Sequence, residues 1–370
     1  MPRRQRKKKF SFKKIFFSSK KADVLVTVLS LGLTVFGLLM VYNVSVVEAD
    51  RDFGDKFYYL KFQAVWAIVG LLGLYLFSRL DYHIFKKTAL PLFILNLFLL
   101  VLVLIPGIGL KTKGARRWFD FGPFTFQPTE TLKTVFAFYL ASWLSKKRPL
   151  FPFALLLIVV LGLIIAQPDL GTAIIVISAS LLVYFISGAD LLPFFGISLL
   201  ALFLGLSLIF ISPYRRTRLL TLFNPSGDPL GSSYHIRQIL LALGSGGIWG
   251  RGLGQSRQKY QYLPEATADS IFAVVAEETG FISAAVLVFV FLLLIWQGLS
   301  IAQKAPDVFG RLLAAGITSW LAMQTFINLA GMVKLVPLTG IPLPFISYGG
   351  SSLVITLISI GILLNISRQT

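Results

Sequence analysis

The sequence predicts an all-α polytopic membrane protein of about ten transmembrane helices, with both termini cytoplasmic and one long external loop between spans seven and eight. Three observations predict it. Of 370 residues, 56% are hydrophobic and only 14% charged, against about a quarter in ordinary soluble domains. Apolar runs of spanning length recur along the chain, and the mean hydropathy is +0.78. The basic residues fall in connecting segments that assign sides. The same composition excludes a disordered chain, a collagen-like chain and a small disulfide scaffold. Cysteine is absent, which excludes disulfides, a thiolate nucleophile and a zinc–thiolate site. His83 and His235 are the two histidines and lie far apart in sequence, so a His-rich zinc or copper site is not expected. A metal here would be a hard ion on carboxylates.

The chain opens with a basic tail, Met1 to Lys21, holding ten Lys/Arg and no acid. It is expected to lie on an anionic cytoplasmic membrane face. Residues 22–370 are expected to form one transmembrane domain. The run 24–47 is too long for a signal-peptide core and has no convincing cleavage site, so it is expected to stay as the first span. Further spans are expected near 59–78, 89–106, 130–145, 150–166, 171–187, 191–212, 270–298, 310–332 and 350–366. The fourth is the shortest and most polar. The tail, Arg79/Lys86/Lys87, Lys146-Lys147-Arg148, Lys304/Arg311 and Arg368 share one side. They hold 19 of the 35 basic residues, which makes that side cytoplasmic. The remainder lie outside, seven of them in the loop at about 213–269. External cations without a topological reason suggest an anionic ligand. The loop is too long for a plain connector. It contains a helix-like piece, His235 to Leu243, and then the glycine-rich GSGGIWGRGLGQ. No internal repeat is evident, so inverted-repeat transporter architecture gains no support.

Ionisable residues in a bilayer are functional candidates by default. Glu130 follows Gln127-Pro128-Thr129. Pro128 suits a first helical turn, and the helix dipole favours the carboxylate. Lys133 shares its face, and the pair reads equally as an internal salt bridge. Asp169, in AQPDLGTA, carries ordinary turn chemistry, and a structural role leads. Asp269 closes the long loop and opens the eighth span, with Ala273 and Glu277 on its face at four-residue steps. It can be a general base, although a helix N-cap leads on residue type alone. Glu277 and Glu278, about two turns into that span, read as a conformational lock with a cation before they read as catalytic. Lys111, Lys113, Arg116 and Arg117 crowd a loop before Trp118. Arg forks match phosphate oxygens, and lipid headgroups are the plainer ligand. The glycine-rich stretch has neither nucleotide-loop order, but with Arg251, Arg257 and Lys259 it can form a backbone anion nest. The segment PLTGIPLPFISYGGSS (337–352) holds three prolines and three glycines and cannot be helical throughout. At membrane depth such backbone must be buried or line a cavity. By the span count, Arg116/Arg117, Glu130, Asp169, Asp269 and this segment all fall on the external side.

GARRW (114–118), QPTE with Lys133, QPDLGTA (167–173), GRGLGQSRQK followed by YLPEATADSIFAVVAEE, and the 337–352 segment together resemble the SEDS family. This is the bacterial shape, elongation, division and sporulation family of FtsW, RodA and SpoVE. The likeness runs in order from about residue 24 to 366, and GQSRQK and YLPEA read closer to FtsW. The resemblance implies a peptidoglycan glycosyltransferase that polymerises lipid II at the outer face of the bacterial cytoplasmic membrane. Its implied partners are undecaprenyl-diphosphate-linked glycan, a class B penicillin-binding protein that crosslinks the product, and other divisome or elongasome proteins, with no nucleic acid. Asp269 takes the place of the family's proposed catalytic aspartate. Glu130, Lys133 and Asp169 match polar positions of its cavity. Arg116, Arg117, Gln127, Arg257, Lys259, Glu265 and Ser347, in the matched motifs, are expected to bind substrate. A divalent cation, Mg or Mn, is the one cofactor expected, with no nucleotide, haem or zinc. Two departures stand out. QPSE reads QPTE, which keeps a hydroxyl. E-x-H-T-D-F reads Glu265-Ala266-Thr267-Ala268-Asp269-Ser270, without the His and Phe. A lipid II flippase and a non-catalytic scaffold of the cell-wall machinery are the rival readings.

Overall fold

The computed structural model describes residues 22–370 apart from 113, 123, 147–149, 189, 212, 224–231 and 260–262. The basic tail, Lys113 and the Lys147-Arg148 part of the expected cytoplasmic cluster lie outside the described residues. The described chain is mainly helical: α1 (Val24–Phe53), α2 (Tyr58–Arg79), α3 (His83–Leu102), α4 (Pro128–Leu144), α5 (Leu150–Ala166), α6 (Leu170–Ile186), α7 (Leu191–Ile211), α8 (Pro213–Phe223), α9 (Ser232–Ser245), α10 (Ile271–Lys304), α11 (Val308–Met332) and α12 (Gly350–Ser367). Helices α1 to α7 and α10 to α12 coincide with the expected spans. Of these, α1, α2, α3, α10, α11 and α12 are long and apolar enough to cross a membrane, and α5 and α6 are shorter apolar helices. The molecule is a polytopic membrane protein. The expected loop helix from His235 is the core of α9.

Boundaries differ where neighbours intervene. The third span was expected at 89–106, but α3 runs from His83 to Leu102 and the chain then turns into strand β1 (Gly109–Thr112). β1 pairs antiparallel with β2 (Ala115–Asp120), and β2 with β3 (Thr125–Phe126). The residues expected as a basic loop before Trp118 are thus a small sheet, with Lys111 opposite Arg116 and Leu110 opposite Trp118. Its strands are too short to register beside long apolar runs, as is α8.

The apolar surface shows the membrane's imprint. Along α2, Val65, Ile68, Leu72 and Leu76 point outward at helical spacing, and the inward face is small, with Ala67, Gly70 and Gly73. Gly70 and Gly73 admit Leu357 and Ile358 of α12, and Gly361 lies against the backbone at Leu74. These approaches make α2–α12 a close helix pair. α11 is the central helix: 78% of its most apolar window is buried, against 22% for α2. It packs on α4, α6, α10 and α12. At one end of the bundle, both ring nitrogens of His83 stand 2.7 Å from carboxylate oxygens of Asp81 and Asp307. There Asn365 accepts from Tyr82 N and donates to Ser78 O.

α10 is not continuous. Gly280 has φ 80° and ψ 177°, which breaks the helix after Thr279. The break strands the carbonyls of Glu277 and Glu278. The glycine-rich loop supplies their donors, Arg251 N and Gly252 N, each at 3.0 Å. On the far side of the break, Phe281 N donates to Gly247 O at 2.9 Å. A Cβ on Gly280 would collide with the loop backbone at Gly250. The Gly280→Ala variant is therefore expected to lose about 1–3 kcal/mol from backbone conformation alone, and more from the collision. Its apparent Tm in detergent should fall clearly, whereas Gly162→Ala, which meets nothing within 4 Å, should leave Tm nearly unchanged.

Candidate functional site

Asp269 lies in the turn before α10 and is 7% exposed. It is not the helix N-cap. That position is Ser270, whose side chain makes no capping bond. Because Asp269 precedes the helix, the expected face shared with Ala273 and Glu277 does not form. Asp269 is instead tied to its surroundings. Ser270 Oγ donates to its Oδ1 at 3.2 Å. Asn328 Nδ2 of α11 donates to its carbonyl and to Ile341 O, both at 2.8 Å. Two carbonyl acceptors fix the orientation of the Asn328 amide, since only its nitrogen can face both. Tyr348 N donates to Thr267 O at 2.9 Å, which joins this turn to the 337–352 segment a second time.

That segment is irregular from Val333 to Gly349; Val333 to Gly340 is exposed or half-buried, and Ile341 to Ser347 is mostly buried among helices. Gln324 Nε2 donates to Pro342 O, Gln63 Nε2 to Ser347 O, and Arg218 Nη1 to Leu338 O. Gly349 N donates to Gln63 Oε1. Ser347 Oγ accepts from Leu343 N at 2.8 Å, so this expected substrate-binding hydroxyl serves the loop's own fold. Gly340, at φ 73°, lies beside Asp269. A Cβ there would stand 3.8 Å from Asp269 Oδ2.

On the segment's other side lies the start of α6. Gly171 packs against Thr339 and Ile341. Asp169 caps α6, accepting from Thr172 N at 3.1 Å and Thr172 Oγ1 at 2.8 Å. Its expected structural role is therefore present. It also faces Gln127, whose Nε2 is 3.5 Å away. Arg117 of β2 donates through Nε to Gln167 O at 2.8 Å and through Nη2 to Pro168 O. Contacts thus run from Arg117 to the 167–168 carbonyls, from Gly171 to the Thr339 and Ile341 side chains, and from Ile341 O through Asn328 to Asp269. Among the described residues, no carboxylate is paired with Lys111, Arg116 or Arg117.

Glu130 and Lys133 are a buried salt bridge at 2.8 Å on α4. Lys133 Nζ also donates to Gln324 Oε1 at 2.5 Å and stands 4.9 Å from the Trp320 ring centroid. The pair is connected to the site because Gln324 also holds Pro342. Glu265 has φ 51°, and its carbonyl accepts from Ala268 N and Ser270 N, which shapes the turn carrying Asp269.

Arg257 and Lys259 are not brought to Asp269. They sit about two turns further along α10, around Glu277 and Glu278. Glu277 accepts from Ser245 Oγ, from Ser256 Oγ at 2.5 Å, and from Arg257 N and Gln258 N. Glu278 accepts from Ser256 N at 3.2 Å, Lys259 Nζ at 3.1 Å and Asn43 Nδ2 of α1. The expected anion nest exists, and its anions are the protein's own two glutamates. A lock with a Lys or Arg of a neighbouring span was expected for them; the cation that meets Glu278 is instead Lys259 of the loop. Arg257 contributes its backbone there, and its side chain is exposed.

The structure adds residues that motif reading passed over. Gln63, Gln324 and Asn328 had a signal, being amides inside apolar spans. His235 had none. It reaches Ser270 across 35 residues, with Nε2 2.8 Å from Oγ, and so supplies an imidazole beside a turn whose own sequence lacks one. Among the described residues, no group of three or more His, Asp or Glu is placed to hold a metal ion. The expected divalent cation therefore finds no ligand set built from these side chains.

The Lys259–Glu278 pair is 3% and 0% exposed. Removing one partner leaves a buried charge. Lys259→Met is expected to cost about 3–5 kcal/mol, and adding Glu278→Gln should recover part of that. Thermal unfolding of the single and double variants in detergent measures both.

Residues 23–370 match the family of cell cycle proteins FtsW/RodA/SpoVE. The chain is 41% identical over 356 residues to stage V sporulation protein E of Bacillus subtilis (strain 168), covering 94% of this chain and 97% of that one. It is equally 41% identical, over 355 residues and the same shares, to a protein of Geobacter sp. (strain M18) named "Probable peptidoglycan glycosyltransferase FtsW". Among solved structures, it resembles a chain from "Structural coordination of polymerization and crosslinking by a peptidoglycan synthase complex", with TM-score 0.77, 30% identity, and 94% and 98% of the two chains covered. The rod shape determining protein RodA of Thermus thermophilus is similar at TM-score 0.69 and 29% identity, with 94% and 97% covered. A match over nearly the whole chain, in both sequence and fold, shows that this protein belongs to the FtsW/RodA/SpoVE family.

Proposed function

We propose that this protein is a peptidoglycan glycosyltransferase that polymerises lipid II, with Asp269 as general base. The observation that carries the proposal is the placement of Asp269. It is a buried carboxylate, held through its carbonyl and through Oδ1, with Oδ2 beside a glycine, at the end of the bundle that also carries the unpaired cations of the sheet. The names of the relatives, and the polymerisation and crosslinking described for the similar complex, support the same reading.

The chemistry follows from the groups. A sugar hydroxyl of one glycan attacks the anomeric carbon of another that is linked to a lipid diphosphate. As the new C–O bond forms, the hydroxyl proton passes to Asp269 Oδ2. The anomeric C–O bond to the diphosphate breaks, and the bonding pair leaves with the diphosphate. Arg116, Arg117 and Lys111 offer charge to that leaving group. With Asp269 as base and no second nucleophile assigned among the described residues, a single displacement inverts the anomeric carbon. The donor is already activated, so the step needs no nucleotide. Glu130, Lys133, Asp169 and Ser347 act by holding the walls, since their polar atoms are engaged within the protein.

On this reading the site opens outward from the bacterial cytoplasmic membrane and the termini lie inside, in keeping with the basic segments at 79–87 and 304–311. The crosslinking partner is a class B penicillin-binding protein, by likeness to the complex named above. The test is lipid II polymerisation by the purified protein with that partner, with and without divalent cation. General-base catalysis contributes about 10²–10⁴-fold, so Asp269→Asn is expected to lose at least about 10²-fold in rate while keeping its Tm. Wild-type rates from a folded Asp269→Asn protein would overturn the base assignment. Scrambling of labelled lipid II across liposomes without polymer would favour transport instead.

A further inference from the structure

The break at Gly280 divides α10 into two lengths with different surroundings. From Ile271 to Glu278 every residue is buried. Beyond the break a stripe of large apolar side chains opens outward: Phe281, Val286, Phe289, Leu292, Trp296 and Leu299 are all exposed. At 1.5 Å per residue the stripe is about 27 Å long, close to the ~30 Å of a bilayer's hydrocarbon core. In a membrane protein this is the side of the helix that meets lipid. Phe281, its first residue, therefore marks one boundary of the hydrocarbon.

The glycine-rich loop after α9 is bonded to α10 at this level. Phe281 N donates to Gly247 O at 2.9 Å, and Ile282 N to Ile248 O at 3.4 Å. Gly250, at φ 84°, lies against the main chain of Glu278 and Thr279, an approach that a side chain would block. With the main chain laid on α10, the loop's large apolar side chains stand out from it. Trp249 is 82% exposed, Leu253 73% and Ile248 61%.

The loop's backbone suits an apolar medium, where main-chain groups must find partners within the protein. Gly250 N donates to Gly246 O at 2.8 Å, Arg251 N to Glu277 O and Gly252 N to Glu278 O at 3.0 Å, and Gln255 N to Gly252 O at 3.1 Å. Charge is set behind the tip: Arg251 Nε donates to Ser245 O, and Lys259 is buried at Glu278. An indole suits the edge of the hydrocarbon, because its ring is apolar while its N–H can reach headgroups.

We infer that the tip of this loop, Ile248, Trp249 and Leu253, is seated in the lipid leaflet that borders α10 at Phe281, with the Trp249 ring at the boundary between headgroups and acyl chains. The occupant is lipid because the tip continues a helix face that itself meets lipid, and because exposures of 61–82% mark a protrusion rather than a pocket. The loop is thus held from two sides, by Glu277 and Glu278 within the protein and by lipid outside it.

The chain has no cysteine, so a single introduced one takes a nitroxide label. The full chain with Trp249→Cys or Leu253→Cys is labelled and placed one copy per lipid nanodisc, so that a second copy cannot cover the tip. Collisions with oxygen, which dissolves in lipid, are compared with collisions with a water-soluble nickel complex. Leu292→Cys on the stripe and Arg257→Cys on the exposed part of the loop give the lipid and water references. The oxygen-to-nickel ratio of both tip labels is expected to exceed the Arg257→Cys value several-fold and to approach the Leu292→Cys value. Tip labels that match Arg257→Cys overturn the inference. Tip labels shielded from both reagents overturn it too, since protein then covers the tip. The native residue gives a second reading without a label. Trp249→Phe should leave the Tm in detergent nearly unchanged, because the side chain is so exposed. The emission it removes is expected to be quenched more by lipids brominated near the headgroup end of the acyl chain than by lipids brominated near its methyl end. Emission quenched by neither, or more strongly from the methyl end, overturns the placement of the ring.

Discussion

A stretch of non-helical backbone, Val333 to Gly349, passes from the surface into a helical membrane protein, and where it is buried, from Ile341 to Ser347, its polar groups need partners that neither lipid nor water supplies. Much of the site's geometry follows from meeting that demand. Gln63, Gln324 and Asn328 spend their amides on its carbonyls, and Arg218 reaches in to Leu338. Gly37 of α1 has no side chain because the backbone at Phe345 and Ile346 occupies the space. Asp269 is rigid for the same reason. The amide that holds Ile341 also holds the Asp269 carbonyl, and Thr267, two residues earlier, accepts from Tyr348. The carboxylate is thus built onto the irregular segment beside it.

A second break, at Gly280, obeys the same rule with a different material. There the stranded groups belong to a transmembrane helix, and a glycine-rich loop supplies backbone partners because only glycine lets two main chains come so close. The loop's spare N–H groups then gather Glu277 and Glu278, with Lys259 and Asn43 completing the shell. Burying two carboxylates is tolerable because each is met by several donors. The contrast with the sheet is informative. Lys259 is neutralised inside the protein, while no carboxylate among the described residues meets Lys111, Arg116 or Arg117. Cations of equal standing in the sequence thus have different surroundings: Lys259 meets a buried carboxylate, and Arg117 meets backbone carbonyls.

The two ends of the bundle differ accordingly. At one, His83, Asp81, Asp307 and Asn365 tie the α2–α3 and α10–α11 turns to α12 by side-chain bonds. At the other, buried walls surround a carboxylate with one oxygen held and a glycine beside the second.

The sequence by itself determined the class, the order of the spans, the irregularity of 337–352 and the placing of Glu130 and Lys133 on one helix face. Those are local properties. Apolar run length, helical spacing and proline content act through neighbouring residues, so they are legible one segment at a time. Whether Asp269 capped the helix, whether the glycine-rich nest bound a ligand or the protein's own glutamates, and whether the basic stretch before Trp118 was loop or sheet all depended on which distant groups arrived beside them. His235 is the clearest case. Nothing within ten residues of it mentions Asp269, and only the packing of α9 on α10 puts an imidazole next to Ser270. A hydrogen bond has a reach of about 3 Å whatever the sequence separation, so the chemistry of the site was decided by the fold that closes those distances.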